Sequence, residues 1–181
     1  MHARSAGAAA GQFHNAAARV AAIAAVHQQL HKSDDIGAVA LDQYLVDLCR
    51  EITAASSSSD RAWTVAVDAD PIVIRTDLAM PLGLIVNELV TNAIQHSRPS
   101  SGGGRVQIVL KTAPDSFSVR VSDEGNGPSQ YGGAQTSGLG ARMVEAFARQ
   151  IDATITKGRN PAGYAVTVTV PRGADRALDR T

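Results

Sequence analysis

Two periods divide the chain. Up to Ile52 the apolar positions recur every three or four residues, and beyond residue 60 most recur every second residue. Phe13, Ala16, Val20, Ile23, His27 and Leu30 form one seam. Their spacing predicts a short helix packed on its neighbour or on a second copy of the chain. Ser33-Asp34-Asp35-Ile36-Gly37 interrupts it. Leu41, Tyr44, Leu45, Leu48, Cys49 and Ile52 then predict a second, amphipathic helix with one buried stripe. Cys49 lies on that stripe and reads as core packing. The polar run 56–60 reads as a loop.

Trp63, Val65 and Val67 alternate with Thr64 and Ala66, which predicts a strand, and 72–74 predicts a second, short one. A long helix is expected from about 77 to 96, with Asp77 as its N-cap and Pro81 in its first turns. Residues 99–104 read as a loop. Strands at 106–111 and 117–123 flank Ala113-Pro114-Asp115, a hairpin turn. Phe117, Val119 and Val121 bury one face of the second of these. The stretch 124–137 is rich in glycine and polar residues, and a helix is expected from about 138 to 151. Residues 153–157 and 164–170 predict a last hairpin, with Tyr164, Val166, Val168 and Val170 in strict alternation. Residues 171–181 read as a frayed tail. The expected fold class is α+β, a two-layer α/β sandwich with a mostly antiparallel sheet, preceded by two helices. The expected division is a helical segment at 1–58, a main domain at 59–171 and a tail at 172–181.

Composition narrows the function. The 181 residues carry 17 Lys+Arg against 17 Asp+Glu, so there is no basic excess for coating nucleic acid. A single cysteine excludes an internal disulfide and a multi-cysteine zinc site. No apolar run reaches the ~18 residues of a membrane span, and the first residues do not read as a secretory signal. The expectation is a soluble, cytoplasmic chain. No P-loop, H-E-x-x-H or G-x-S-x-G motif is present.

Three segments can carry chemistry. In Asn87-Glu88-Leu89-Val90-Thr91-Asn92-Ala93-Ile94-Gln95-His96, Glu88, Asn92 and Gln95 fall in an arc of about 60° beside the apolar arc. A carboxylate and a carboxamide one turn apart suit Mg²⁺, and an ordinary solvated helix face fits equally well. In Val121-Ser122-Asp123-Glu124-Gly125-Asn126-Gly127-Pro128, an apolar strand runs into an acceptor-only carboxylate and two glycines. Such a carboxylate can take the exocyclic amine of adenine, and the glycines let backbone approach a flat ring. A plain glycine-rich turn is the other reading. In Thr136-Ser137-Gly138-Leu139-Gly140-Ala141-Arg142-Met143-Val144, small residues open a helix, either as a phosphate site or as a simple N-cap.

Together, in this order, the three segments resemble the N, G1 and G2 boxes of the GHKL ATP-binding superfamily, which includes sensor histidine kinases, Hsp90, gyrase B and MutL. A closer resemblance is to the HisKA_2/HWE-like sensor histidine kinases. Arg19-Val20-Ala21-Ala22-Ile23-Ala24-Ala25-Val26-His27-Gln28-Gln29-Leu30 is similar to the signature of the second helix of their dimerisation domain. The resemblance implies the Bergerat fold, ATP and Mg²⁺. It implies a protein histidine kinase acting in a two-component system. Glu88 would polarise a water or assist phosphoryl transfer, and Asn92 would hold Mg²⁺. Asp123 would bind the adenine amine, and Gly125 and Gly127 would shape its pocket. Thr136, Ser137, Gly138, Leu139 and Gly140 would close on the phosphates, with His96 as a phosphate contact or a helix cap.

Three positions depart from the family pattern. Gln95 stands where Lys is frequent, Tyr164 follows Gly163 where Thr is common, and Pro128 follows the second glycine directly. The family's acceptor histidine would lie upstream of Met1, and none of the five histidines here sits in an acceptor-like sequence. The expectation is therefore transfer to a histidine outside this chain, which would be inactive when isolated. Its partners would be a response regulator or a phosphoacceptor domain in trans, with a homodimer through the first seam. A non-catalytic docking module and a serine kinase of the anti-sigma-factor type are the alternatives.

Overall fold

The computed structural model describes residues 37–56, 62–96, 103–124, 139–160 and 163–174. The seam from Phe13 to Leu30, most of the glycine-rich stretch and the final residues lie outside them.

The first described element is β1 (Ala38–Ala40), entered through Gly37 with φ 103°. Helix α1 (Leu41–Ser56) follows at once. Its six predicted stripe residues are all buried, which is what their spacing requires. Cys49 is among them at 3% exposure, and burial pushes its thiol up to about 12. It is a core residue, as expected. Strand β2 (Ala62–Ala69) comes next, then β3 (Val73–Arg75) and the long helix α2 (Thr76–His96).

Helix α2 starts one residue earlier than expected, so Asp77 is inside the first turn rather than at the N-cap. There its carboxylate takes hydrogen bonds from the Arg75 guanidinium, with Nε at 2.9 Å. The first helical amide, of Thr76, donates to the Gly37 carbonyl at 3.1 Å. The chain entering β1 is thereby joined to the start of α2. Pro81 sits in the second turn and is buried.

Strands β4 (Gly103–Thr112) and β5 (Ser116–Asp123) form the expected hairpin, closed by Ala113 N–H donating to the Ser116 carbonyl at 2.8 Å. Helix α3 (Leu139–Gln150), β6 (Thr154–Asn160) and β7 (Gly163–Pro171) complete the domain, and a short 3₁₀ turn (Arg172–Ala174) follows.

Two sheets result. The main sheet has the order β2-β4-β5-β7-β6, antiparallel except for the parallel pair β2–β4. A parallel pair needs a crossover, and α2 lies in that connection. The small sheet pairs β1 with β3 antiparallel. Sequence reading did not predict β1, whose three residues run directly into the helical stripe that starts at Leu41. The short strand expected at 72–74 exists one residue later, and its partner is β1 rather than the main sheet.

One face of the main sheet carries Val106, Ile108, Leu110, Phe117, Val119, Val121, Val168 and Val170, all buried. The three helices cover it with Leu41, Leu45, Leu48, Leu82, Ile85, Val86, Val90, Val144 and Ala148 in one continuous core. This is the expected two-layer sandwich. Among the described residues, no helix is long and apolar enough to cross a membrane.

Helices α1 and α2 meet at a bare backbone. A Cβ at Gly83 would lie 1.8 Å from the Tyr44 hydroxyl oxygen, so the ring rests on the glycine. The Tyr44 hydroxyl is buried with no hydrogen-bond partner among the described residues. Burial first, then the negative charges of Cys49 and Glu51, push its ionisation well above the ordinary phenol range. An unsatisfied buried hydroxyl costs about 1–3 kcal/mol, so Tyr44→Phe should raise stability by about 1 kcal/mol. Gly83→Ala should lower it, because overpacking costs about 1–3 kcal/mol and outweighs a helix-propensity gain of about 1 kcal/mol. Urea unfolding of both variants measures this. A lower midpoint for Tyr44→Phe would mean that the hydroxyl has a partner.

Candidate functional site

The polar edge of α2 supplies the first part of the site. Leu82, Ile85, Val86, Val90 and Ile94 are buried, and Leu89 and Ala93 pack partly against the core. Glu88 and Asn92 are half-buried beside this stripe, as the helical arc predicts, and Gln95 is exposed. The Asn92 amide donates to Glu88 Oε1 at 3.4 Å, a long bond across one helical turn. With its N–H used this way, the carboxamide oxygen is the Asn92 atom left to ligate a cation.

The second part is Asp123. Strand β5 alternates so strictly that Phe117, Val119, Val121 and Asp123 share the helix-covered face. Asp123 is therefore buried at 8% exposure, the one buried charged residue among those described. Its backbone is held by register to Val106 of β4, and the next amide, of Glu124, donates to the Arg105 carbonyl at 3.1 Å. The Glu124 side chain also approaches Arg105, at 3.9 Å.

Gly163 opens β7 behind Asp123. A Cβ there would lie 1.9 Å from the Asp123 carbonyl oxygen and 3.1 Å from its Oδ1. No side chain fits, and the φ of 158° is one that L-residues rarely adopt. Burial, and after it the negative charge of Asp123, push the neighbouring Tyr164 phenol above its ordinary value.

The connections bring these parts to one end of the sandwich. Asp123 pairs near the start of β4, and the β4 start follows the α2 end carrying Asn92. Helix α2 touches both β5 and α3. Helix α3 is tied at Gln150 to the start of β6 at the opposite end, where Thr154 pairs with Thr169. Its first residues, Leu139 and Gly140, thus return toward Asp123. The described part of the helix begins at Leu139, and Gly140 is buried in its first turn.

Gly125, Gly127, Thr136, Ser137 and Gly138 lie outside the described residues, as do the side chains of His96 and Leu139. Among the described residues no group of three His, Cys, Asp or Glu gathers in metal-binding range. Sequence reasoning did not single out Gly163 as a neighbour of Asp123. The available signal was a glycine placed directly before an alternating strand.

Comparison with known proteins agrees with the fold. The family model described as a histidine kinase-like ATPase domain matches residues 51–170. The chain belongs to that family. A second model, described as histidine kinase, matches residues 1–56.

Blue-light-activated histidine kinase 2 of Erythrobacter litoralis is 26% identical over 96% of this chain and 51% of its own length. Sensor histidine kinase PdtaS of Mycobacterium tuberculosis is 30% identical over 86% of this chain and 31% of its own length. The chain thus spans about half of the first relative's length and about a third of the second's. The solved histidine kinase domain of the E. litoralis EL346 blue-light-activated kinase superposes with a TM-score of 0.73 at 25% identity. That match covers 88% of this chain and 76% of that one. The catalytic domain of histidine kinase ThkA shares the fold, with a TM-score of 0.55 at 15% identity over 76% of this chain and 97% of that one. The histidine kinase-like ATPase fold, with its five-stranded sheet under helices, is the one described above.

The close approach at Gly163 has a measurable consequence for this ATPase domain. Gly163→Ala should lower stability by about 1–3 kcal/mol, the cost of overpacking. It should also speed amide exchange at Asp123 and Glu124 more than at Val119. Exchange followed by NMR checks this, and uniform acceleration along β5 would count against a local clash.

Proposed function

We propose that the chain is the ATP-binding catalytic region of a two-component sensor histidine kinase, passing the γ-phosphate of ATP to a histidine outside these 181 residues. The observation that carries this is the buried Asp123 carboxylate at the end of β5, in a domain of this family, beside the helix bearing Glu88 and Asn92. A carboxylate kept from water accepts a donor strongly, and the exocyclic amine of adenine is such a donor. The Asn92 carboxamide oxygen, with Glu88 one turn away, is a hard oxygen donor set that fits Mg²⁺. Held there, Mg²⁺ would supply neutralisation of the nucleotide's negative charge. Glu88 would polarise the attacking group as a general base, and His96 would contact a phosphate. Gly125 and Gly127 would shape the adenine pocket, and residues 136–140 would close on the phosphates.

In this reading the attacking imidazole nitrogen forms a bond to the γ-phosphorus as the bond to the ADP oxygen breaks. Positioning and charge stabilisation supply most of the rate. A response regulator would take the phosphoryl group onward, and the seam from Phe13 to Leu30 would pair with a second copy. A cytoplasmic location goes with these partners. The division in this reading is a helical segment at 1–58, an ATP-binding domain at 59–171 and a tail at 172–181, with Leu41, Leu45 and Leu48 of α1 packed into the core that α2 shares.

Calorimetry with Mg·ATP tests the reading. Asp123→Asn should weaken binding about 10–100-fold, the loss of a charge-assisted hydrogen bond. Glu88→Gln should retain binding yet cut transfer to an added phosphoacceptor domain by about 10²–10⁴. The product should be acid-labile, as a phosphohistidine is and a phosphoserine is not. No binding of wild type at millimolar nucleotide would sink the catalytic reading and favour the docking module.

A further inference from the structure

Tyr164 occupies a position the function proposed above does not use. The last registered pair between β5 and β7 is Ser122 with Ala165. One step further, the residues facing each other are Asp123 and Tyr164. Alternation sets both on the helix-covered face, Asp123 after Phe117, Val119 and Val121, and Tyr164 before Val166, Val168 and Val170. Side chains directly opposite on an antiparallel pair have Cβ atoms about 4.5–5.5 Å apart. Gly163 keeps the strands close at this point, since its missing side chain lets β7 lie against the Asp123 carbonyl. The aromatic ring is half-buried there. The influence of the Asp123 charge on the phenol is consistent with the same proximity.

We propose that Tyr164 is a positioning residue for the Asp123 carboxylate and, through it, sets which purine base the site accepts. This rests on the reading that Asp123 takes the exocyclic amine of the base. The ring covers the β7 side of the carboxylate and keeps water from it. An amine at the facing position of the base then offers the carboxylate a donor in a place screened from water. A carbonyl at that position brings an acceptor against an acceptor-only group, and exclusion of water makes that mismatch costly. Cutting the side chain back to a methyl group admits water, which hydrates the carboxylate and softens the rejection.

The test compares Mg·ATP with Mg·ITP, which carries a carbonyl where adenine carries the amine. Affinities are measured by calorimetry on the full chain for wild type, Tyr164→Phe, Tyr164→Ala and Asp123→Asn. Wild type should prefer ATP. Tyr164→Phe keeps the ring and should hold the ATP:ITP ratio within about twofold, whereas Tyr164→Ala should lower it about tenfold, the scale of one charge-assisted hydrogen bond. The two nucleotides share ribose and phosphates, so a merely structural role would weaken both alike and leave the ratio unmoved. Should the alanine variant fail to fold, Tyr164→Leu, which keeps an apolar body but no ring, is read in its place with a smaller drop.

An unchanged ratio in Tyr164→Ala, with the preference lost in Asp123→Asn, would overturn the role of Tyr164 alone. A fall in Tyr164→Phe as large as in Tyr164→Ala would overturn the screening by the ring and assign the effect to the hydroxyl. An unchanged ratio in Asp123→Asn would remove the underlying reading of the carboxylate, and this proposal with it.

Discussion

A carboxylate on the apolar face of a sheet is the constraint around which this domain is arranged. Burying a charge away from water is costly without compensation. Period-two alternation leaves β5 no choice, since three apolar residues turned inward carry Asp123 inward with them. What surrounds it follows from that cost. The backbone on either side is tied to β4, and a glycine lets β7 close in behind. The helix overhead presents polar groups along the edge nearest its C-terminal end. An apolar residue in place of Asp123 would suit the packing better, so its burial is a cost to stability.

Helix α2 carries the other half of the design. Its broad apolar arc fixes rotation and depth through Leu82, Ile85, Val86 and Val90, all fully buried. With those fixed, Glu88 and Asn92 can stand only at the border between core and water. The contact of Tyr44 with Gly83 adds a positional lock between α1 and α2. It is obtained at the expense of a hydroxyl left without a partner among the described residues. The two helices also share the apolar core through Leu45, Leu48, Leu82 and Ile85.

Much of this was legible in the sequence, and the reasons for the rest are physical. The stripe of α1, the apolar arc of α2 and the alternation of β5 and β7 are local patterns, and each predicted its element. So did the β4–β5 turn, whose Ala113-Pro114-Asp115 is short and polar. Strand pairing across long separations leaves no local trace. Hence the parallel β2–β4 pair, the partnership of β3 with β1, and the meeting of β5 with β7 had to be seen in three dimensions. Gly163 was missed for that reason, because its value comes from a strand forty residues earlier in the chain. The acid, amide and carboxylate of the candidate site were proposed from chemistry and order along the chain, whereas the packing of α2 against β5 had to be seen in three dimensions.

The chain has a single tryptophan, Trp63, and it rests on Gly104, where a Cβ would fall 2.2 Å from the indole ring. Trp63 pairs with Gly104 two residues before Val106, the partner of Asp123. At strand spacings of about 4.8 Å and rises of about 3.3 Å per residue, the indole stands on the order of 10–12 Å from the carboxylate. The domain therefore carries its own optical gauge. Every photon of indole emission originates at the site end of the sheet, and a shift in its colour or intensity has one address.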